Sequence, residues 1–219
     1  QLRKRASDLR EQFSTDIHFA AGDITAPSFR QRLLELCEQE FGGLDVLINN
    51  AGLGSLGDFA TSDEARLRQV MEVNFFAPVE LNRLCLPVLQ RSQDPVIVNL
   101  GSVLGHCAVP GKSEYCASKF ALHGMTDSLA IEFQEKGIDF LLVSPSTTRT
   151  EFFQNALRSN GKVAMNRFGM SPQQVAQATI LAIQRRRREI ILPASGRVLV
   201  YLNRFFPGAL AWLLEKIAS

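Results

Sequence analysis

Apolar positions fall into two patterns that take turns along this chain: stripes at helical spacing and short unbroken runs. QLRKRASDLREQF, at residues 1–13, reads as an amphipathic helix, and DIHFAAGDI at 16–24 as a strand running into a turn. PSFRQRLLELCEQEFG carries Phe29, Leu33, Leu36, Cys37 and Phe41 at helical spacing. LDVLINNAG is a continuous apolar run, as a strand covered on both faces should be. Ser62 can cap the next helix, which carries Leu67, Val70, Met71, Val73 and Asn74 and extends towards Leu89. Pro78 and Pro87 are expected to bend or interrupt it. PVIVNLGS is a second buried strand, followed by a helix from about Glu114 to Lys136 that stops at Gly137. IDFLLVSPS is a further strand. After a polar stretch at 151–170, Ser171 and Pro172 open a helix to about Gln184, and REIILP closes the sheet. Strand and helix alternate throughout, the signature of βαβ units around a parallel sheet, and neither a repeat nor a second domain interrupts them.

The chain has 219 residues, 46% hydrophobic and 21% charged, enough for one α/β domain with its own core. A net charge of +2 argues against a nucleic-acid surface. Cys37, Cys85, Cys107 and Cys116 are scattered among apolar neighbours without a Cys-x-x-Cys pair, which suits buried thiols in a reducing compartment better than disulfides. His18, His106 and His123 share no metal-ligand spacing, so no metal is expected. The N-terminal stretch lacks the layout of a signal peptide. Because it starts inside a helix, the chain reads as a fragment or a truncated gene product.

Gly52, Gly54 and Gly57 spell G-x-G-x-x-G directly after a strand. A phosphate cradle needs a helix to open within those glycines, and an acidic residue about twenty positions on. Here the helix start signal comes only at Ser62. The motif reads instead as a loop beyond a strand's carboxyl end, the place where open α/β sheets bind ligands.

Tyr115 and Lys119 stand four apart, so a helix puts them on one face. A phenol gives up its proton near about pH 10, and a neighbouring ammonium should lower that value. Such a pair can hand a proton to a carbonyl oxygen or take one from an alcohol. Ser102 ends the strand PVIVNLGS, thirteen residues before Tyr115. Gly105, Pro110 and Gly111 let the intervening loop turn back, so the Ser102 hydroxyl can hydrogen-bond the same oxygen. Asn74 could order a water leading to Lys119, or could be a buried polar group satisfied by backbone.

NNAG (49–52), VN (73–74), NLGS (99–102), YCASK (115–119) and PSTTRT (145–150) resemble, in order and spacing, the landmarks of the short-chain dehydrogenase/reductase family. The resemblance spans residues 23–150 and is looser beyond. It implies a Rossmann-type doubly wound parallel sheet, incomplete at the N-terminus. The family's first strand and its T-G-x-x-x-G-x-G turn are missing, and so is the second strand. It implies the catalytic set Ser102, Tyr115, Lys119 and Asn74, with Tyr115 as general acid/base. Lys119 would depress the Tyr115 pKa and bind the nicotinamide ribose, and Ser102 would polarise the reacting oxygen. Asp23 and Ile24 match the adenine contact, Asn49, Ala51 and Gly52 the segment beside the adenine-side ribose, and Thr148 and Thr150 the nicotinamide carboxamide. The implied cofactor is NADP or NAD, NADP being placed first. Helices at 63–90 and 114–136 resemble those through which the family pairs, so a homo-oligomer is implied. Two positions depart from the pattern: Ser146 stands where Gly is usual after the Pro, and Gly101 where Ser is frequent.

Phe152, Phe153, Met165, Phe168 and Met170 make residues 151–170 apolar in places, which suits a flexible cover over a lipophilic carbonyl or alcohol substrate. The division expected is a partial domain over 1–194 and an amphipathic segment over 195–219. That segment follows Arg185–Arg188 and is too polar in its middle for a confident membrane span. It suits an interfacial helix, a cap over the pocket or a subunit contact. Arg185–Arg188 also suits a solvated helix end. The expected location is cytoplasmic, with membrane contact through 195–219 as an option. Two other classes stay open: a cofactor-free scaffold derived from the same fold, and a peripheral membrane protein.

Overall fold

The computed structural model describes residues 2–150, 152, 155–160 and 169–218; Phe153, Met165 and Phe168 lie outside the described residues. In chain order the elements are α1 (Leu2–Phe13), α2 (Pro27–Phe41), β1 (Val46–Asn49), β2 (Ser55–Leu56), α3 (Glu64–Met71), α4 (Ala77–Leu89), β3 (Val96–Leu100) and α5 (Ser113–Glu132). There follow β4 (Asp139–Pro145), β5 (Leu157–Arg158), α6 (Pro172–Gln184), β6 (Glu189–Leu192), α7 (Ala194–Phe205) and α8 (Pro207–Ala218). The main sheet runs β1-β3-β4-β6, every neighbouring pair parallel. A short parallel pair, β2 with β5, stands apart.

Side chains on a strand alternate between faces, and β3 shows it. Ile97 joins a core with Leu81, Cys85 and Leu89 of α4 and with Phe133 and Phe140. Val96 and Val98 point the other way, into a core with Leu141, Val143 and the α6 residues Val175 and Ala182. Helices therefore cover both faces, as the parallel pattern requires. Together these clusters bury fifteen apolar side chains, and at roughly 1.5–3 kcal/mol for each large one they are the main stabilising term.

Four expectations are corrected. Residues 16–24 form no strand, because a strand needs a neighbour for its N–H and C=O groups and, among the described residues, no strand lies alongside them. β1 is not covered on both faces: it stands at the edge of the sheet, paired among the described residues with β3 alone, and Val46 and Ile48 stay exposed. Phe41 also lies on the surface, edge-on to the His18 ring, while Leu34 is the buried residue of α2. Finally, Asp63 rather than Ser62 caps α3, accepting a hydrogen bond from Arg66 N at 2.7 Å, because the Ser62 hydroxyl is drawn 2.5 Å from Glu114 Oε1.

Between α3 and α4 the helix widens into a π turn, Glu72–Phe76. Pro78 sits at the start of α4, where its missing N–H does no harm, and Pro87 lies inside the helix near its end. The α6 expectation matches closely: Ser171 and Gln174 form a reciprocal capping box.

Candidate active site

β3 stops at Leu100, and Gly101 N donates to Val143 O at 2.8 Å, which keeps the chain against β4 as it leaves the sheet. Ser102 then caps a tight turn, Val103–Gly105, its hydroxyl accepting from Leu104 N at 3.1 Å. That turn packs on α5 because residue 105 has no side chain. A Cβ there would stand 2.8 Å from the Lys119 carbonyl oxygen, an approach only glycine permits.

On α5, Tyr115 and Lys119 are both buried. The Lys119 ammonium lies 5.8 Å from the centre of the Tyr115 ring and donates to Leu100 O at 2.7 Å. Ser102 hydrogen-bonds the Tyr115 side chain. A hydroxyl, a phenol and an ammonium thus meet at the carboxyl end of β3.

Burial pushes the Tyr115 phenol up to about 12, with the Ser102 hydrogen bond pulling the other way. Burial also lowers the Lys119 ammonium to about 8. The direction at Tyr115 is the opposite of the sequence expectation. Removing the phenol from water disfavours the phenolate, and the ammonium is drawn to the Leu100 carbonyl. At neutral pH the phenol therefore holds its proton.

Asn74, in the π turn, is committed elsewhere. Its Oδ1 accepts from Leu53 N at 2.7 Å, and its Nδ2 donates to Leu53 O at 2.9 Å and to Ser118 Oγ at 3.0 Å. Of the two sequence readings this geometry is that of the satisfied buried amide, and it anchors the loop after β1 to α5. Asn49 also turns inwards. Its Nδ2 donates to Asn82 Oδ1 at 2.7 Å and Asn99 Oδ1 at 2.9 Å, and Asn99 donates in turn to Thr126. This ladder ties β1, α4, β3 and α5 together and commits the Asn49 side-chain amide nitrogen to the interior.

Ala51 and Gly52 are exposed on the loop beyond β1. Gly52, Gly54 and Gly57 run into β2 and open no helix, as the sequence suggested. Asp23 is exposed, and its Oδ1 accepts from both the N–H and the hydroxyl of Thr25, which lowers its pKa. Ile24 packs beside the core under α4. Ser146 N donates to Leu192 O at 2.7 Å, and Thr148 bridges to Met170. Thr150 is exposed and accepts from Phe152 N at 3.3 Å. The Phe152 ring meets the Tyr115 ring edge-on at 5.7 Å, so an apolar side chain closes over the phenol.

Two groups of residues were missed by sequence reasoning. Glu114, next to Tyr115, gathers the hydroxyls of Ser55, Ser62 and Ser113 and the Arg66 guanidinium. Its acidic place in the first turn of α5 was visible, but apart from neighbouring Ser113 its partners come from β2 and from the start of α3, about fifty to sixty residues away. His106, His123 and Glu189 form the second group, each offering one ligand atom within 4.8 Å of the others. Spacing along the chain does not reveal a cluster assembled in space.

A parallel sheet whose central strands β3 and β4 are packed on both faces, with a hydroxyl, a phenol and an ammonium converging at one strand end, defines an α/β protein of the Rossmann type. The chain belongs to the short-chain dehydrogenase family, whose model matches residues 1–161. It is 35% identical over 185 residues to a dehydrogenase/reductase SDR family protein 7-like of Anopheles gambiae, covering 81% of this chain and 58% of that one. It thus spans less than two thirds of that curated relative. A short-chain dehydrogenase structure from Streptomyces avermitilis superposes with a TM-score of 0.83 at 25% identity, covering 98% of this chain and 84% of that one. One from Sphingobium yanoikuyae, in complex with NADPH, gives 0.78 at 26% identity, covering 98% and 81%.

Proposed function

We propose that this chain carries the proton-transfer machinery of an oxidoreductase that interconverts a carbonyl compound and a secondary alcohol. The convergence of Ser102, Tyr115 and Lys119 at the carboxyl end of β3 supports this reading above all else. A nicotinamide nucleotide would carry the hydride, given by NADPH or NADH in reduction and taken up by the oxidised form in alcohol oxidation, with the NADP pair placed before NAD. The loops beyond β1, β3 and β4 end on one side of the sheet and fit that nucleotide's nicotinamide half. Exposed Ala51, Gly52 and Thr150, with half-buried Thr148, suit contacts to it. Lys119 and Tyr115 would face its ribose, and Asp23 with Ile24 would lie towards the adenine.

In reduction, the Tyr115 phenol donates its proton to the forming alkoxide and Ser102 hydrogen-bonds the same oxygen. Lys119 stabilises the phenolate left behind. The raised Tyr115 pKa favours the protonated starting state at neutral pH. Asn74 acts as a positioning residue through its hold on Leu53 and Ser118. Phe152 over the phenol supports a lipophilic substrate, since it narrows the approach with an apolar surface.

The experiment is a titration of NADPH and NADH, followed by turnover of a chain-length series of ketones and aldehydes. Turnover that rises with apolar chain length and requires Tyr115 supports the proposal. Nucleotide binding without any turnover across the series would overturn it, and absence of binding would favour the cofactor-free scaffold.

A second reading concerns the C-terminal helices. Tyr201 and Phe205 on α7, Phe206 between the two helices and Trp212 on α8 are exposed, close in sequence to Arg197, Arg204 and Lys216. That pairing of apolar and basic groups suits the interfacial zone of an anionic membrane. Among the described residues no helix is long and apolar enough to cross one. Exposed Phe76, Phe120 and Ile131, on or beside the helices that resemble the family's pairing surface, support a homo-oligomer.

A further inference from the structure

We propose that His106, His123 and Glu189 form a binding site for a divalent first-row metal ion of the zinc class, clamping the Ser102 turn to α5 and β6. Three segments distant in the sequence meet there. His106 follows the turn Val103–Gly105, His123 lies one helical turn beyond Lys119, and Glu189 opens β6. One ligand atom from each lies within 4.8 Å of the other two. His106 Nε2 is 2.9 Å from Glu189 Oε1, and His123 Nε2 is 3.1 Å from Asp127 Oδ2. In a tetrahedral shell with bonds of about 2.0–2.1 Å, donor atoms stand roughly 3.3 Å apart. The His106–Glu189 pair is already that close, and His123 needs to approach by at most about 1.5 Å.

Hydrogen bonding fixes which nitrogen is available. His123 Nδ1 lies 3.0 Å from Gly105 O, and a carbonyl can only accept, so Nδ1 carries the proton. In the neutral ring Nε2 then presents a lone pair towards the Asp127 carboxylate. Backbone-anchored imidazoles of this kind are common among metal ligands, because the anchor sets both tautomer and ring angle. His106 directs its Nε2 towards Glu189 Oε1 at 2.9 Å and the Ser144 hydroxyl at 3.1 Å.

The ring centres of His106 and His123 lie 4.2 Å apart, so the two imidazoles already stand side by side. A single divalent ion joins the two lone pairs and the carboxylate, and Glu189 with Asp127 balances its charge. Imidazole and carboxylate donors select zinc and its neighbours over magnesium or calcium. Nearby Cys107 is fully buried, and burial raises its thiol pKa, which disfavours the thiolate a metal would need.

The ion would act on structure, away from the reacting oxygen. It would tie the residue after the Ser102 turn to the helix of Tyr115 and Lys119. Asn203 on α7 donates to His106 O at 3.0 Å, so the C-terminal helices rest on the same point.

The test uses the full chain, stripped with a chelator and titrated with Zn²⁺ and separately with Co²⁺. His123→Gln and Glu189→Gln are compared with wild type, and His18→Gln serves as a control. Circular dichroism in chelator confirms that each variant folds. The result expected is about one ion per chain in wild type and His18→Gln, with affinity at least roughly a hundredfold weaker in the two cluster variants. Co²⁺ should give visible d–d bands without a thiolate charge-transfer band, and Zn²⁺ should raise the melting temperature of wild type only. Equal binding by folded His123→Gln and Glu189→Gln would overturn the proposal. So would a thiolate band, or no stoichiometric uptake by folded wild type.

Discussion

The Arg66 guanidinium lies 2.8 Å from the Glu114 carboxylate, and both side chains are shut away from water. The pair locks α3 to the first turn of α5, one residue before Tyr115. Burial alone would raise the Glu114 pKa. Hydrogen bonds from Ser62, its own backbone N–H and Arg66, together with the Arg66 charge, overcome burial and hold it at about 2. A carboxylate with a depressed folded pKa stabilises the fold above its unfolded value, near about 4.3, and loses that contribution as pH falls towards 2. Glu114→Gln is therefore expected to cost about 3–5 kcal/mol at neutral pH, because it leaves Arg66 buried without its counter-ion. Urea unfolding of both proteins from pH 7 down to pH 3 should show the gap narrowing below about pH 4.3. A gap independent of pH would contradict the assignment.

Tyr115→Phe removes the proton donor but keeps the ring that Phe152 meets edge-on. Carbonyl reduction should fall by about 10²–10⁴ in kcat, with KM changed little. Steady-state kinetics on any ketone found to turn over would check it. A large rise in KM with kcat intact would assign the hydroxyl to binding rather than to proton transfer.

Lys119 is lowered to about 8 by burial, so its ammonium begins to discharge just above neutrality. If that charge stabilises the Tyr115 phenolate, kcat/KM for reduction should decline above about pH 8. Lys119→Met should be slower by about a hundredfold and should lack that alkaline limb. An unchanged limb in the variant would place the titrating group elsewhere.

Asn74→Ala deletes three hydrogen bonds to Leu53 and Ser118. The loss of a buried, fully bonded amide should destabilise the chain by about 1–3 kcal/mol. It should also release the loop carrying Gly52, which amide hydrogen exchange at residues 52–54 would read. Protection unchanged there would show that the loop is held by other contacts.

The exposed aromatic face of α7 and α8 predicts co-flotation with anionic liposomes. Replacing Phe205, Phe206 and Trp212 together by Ser should reduce the floated fraction several-fold, and raising the salt concentration should weaken the remainder. Equal flotation of the two proteins would remove this reading.

The chemistry-bearing residues were legible because their relations are local. Tyr115 and Lys119 share a face by helical spacing alone, and the apolar run before Ser102 marks a strand end. The capping box of α6 could likewise be seen, since Ser171, Pro172 and Gln174 are neighbours in sequence. Ser62 misled because its hydroxyl had a better partner in Glu114, contributed by a helix far along the chain. Residues 16–24 have strand-like composition, but composition supplies no hydrogen-bond partner. The sign of the Tyr115 pKa was also beyond reach, since depth of burial outweighed the ammonium that spacing had identified.

Periodicity and i, i+4 geometry act within a few residues, so the sequence by itself determined the alternating βαβ order, the parallel sheet and the Tyr115–Lys119 pair. Only the tertiary structure decided which way Asn49 and Asn74 turn, that Arg66 neutralises Glu114, and that two histidines and Glu189 meet behind the Ser102 turn. Those contacts join side chains distant in sequence, and their free energy depends on packing and exclusion of water, which form only when the sheet and its helices close together.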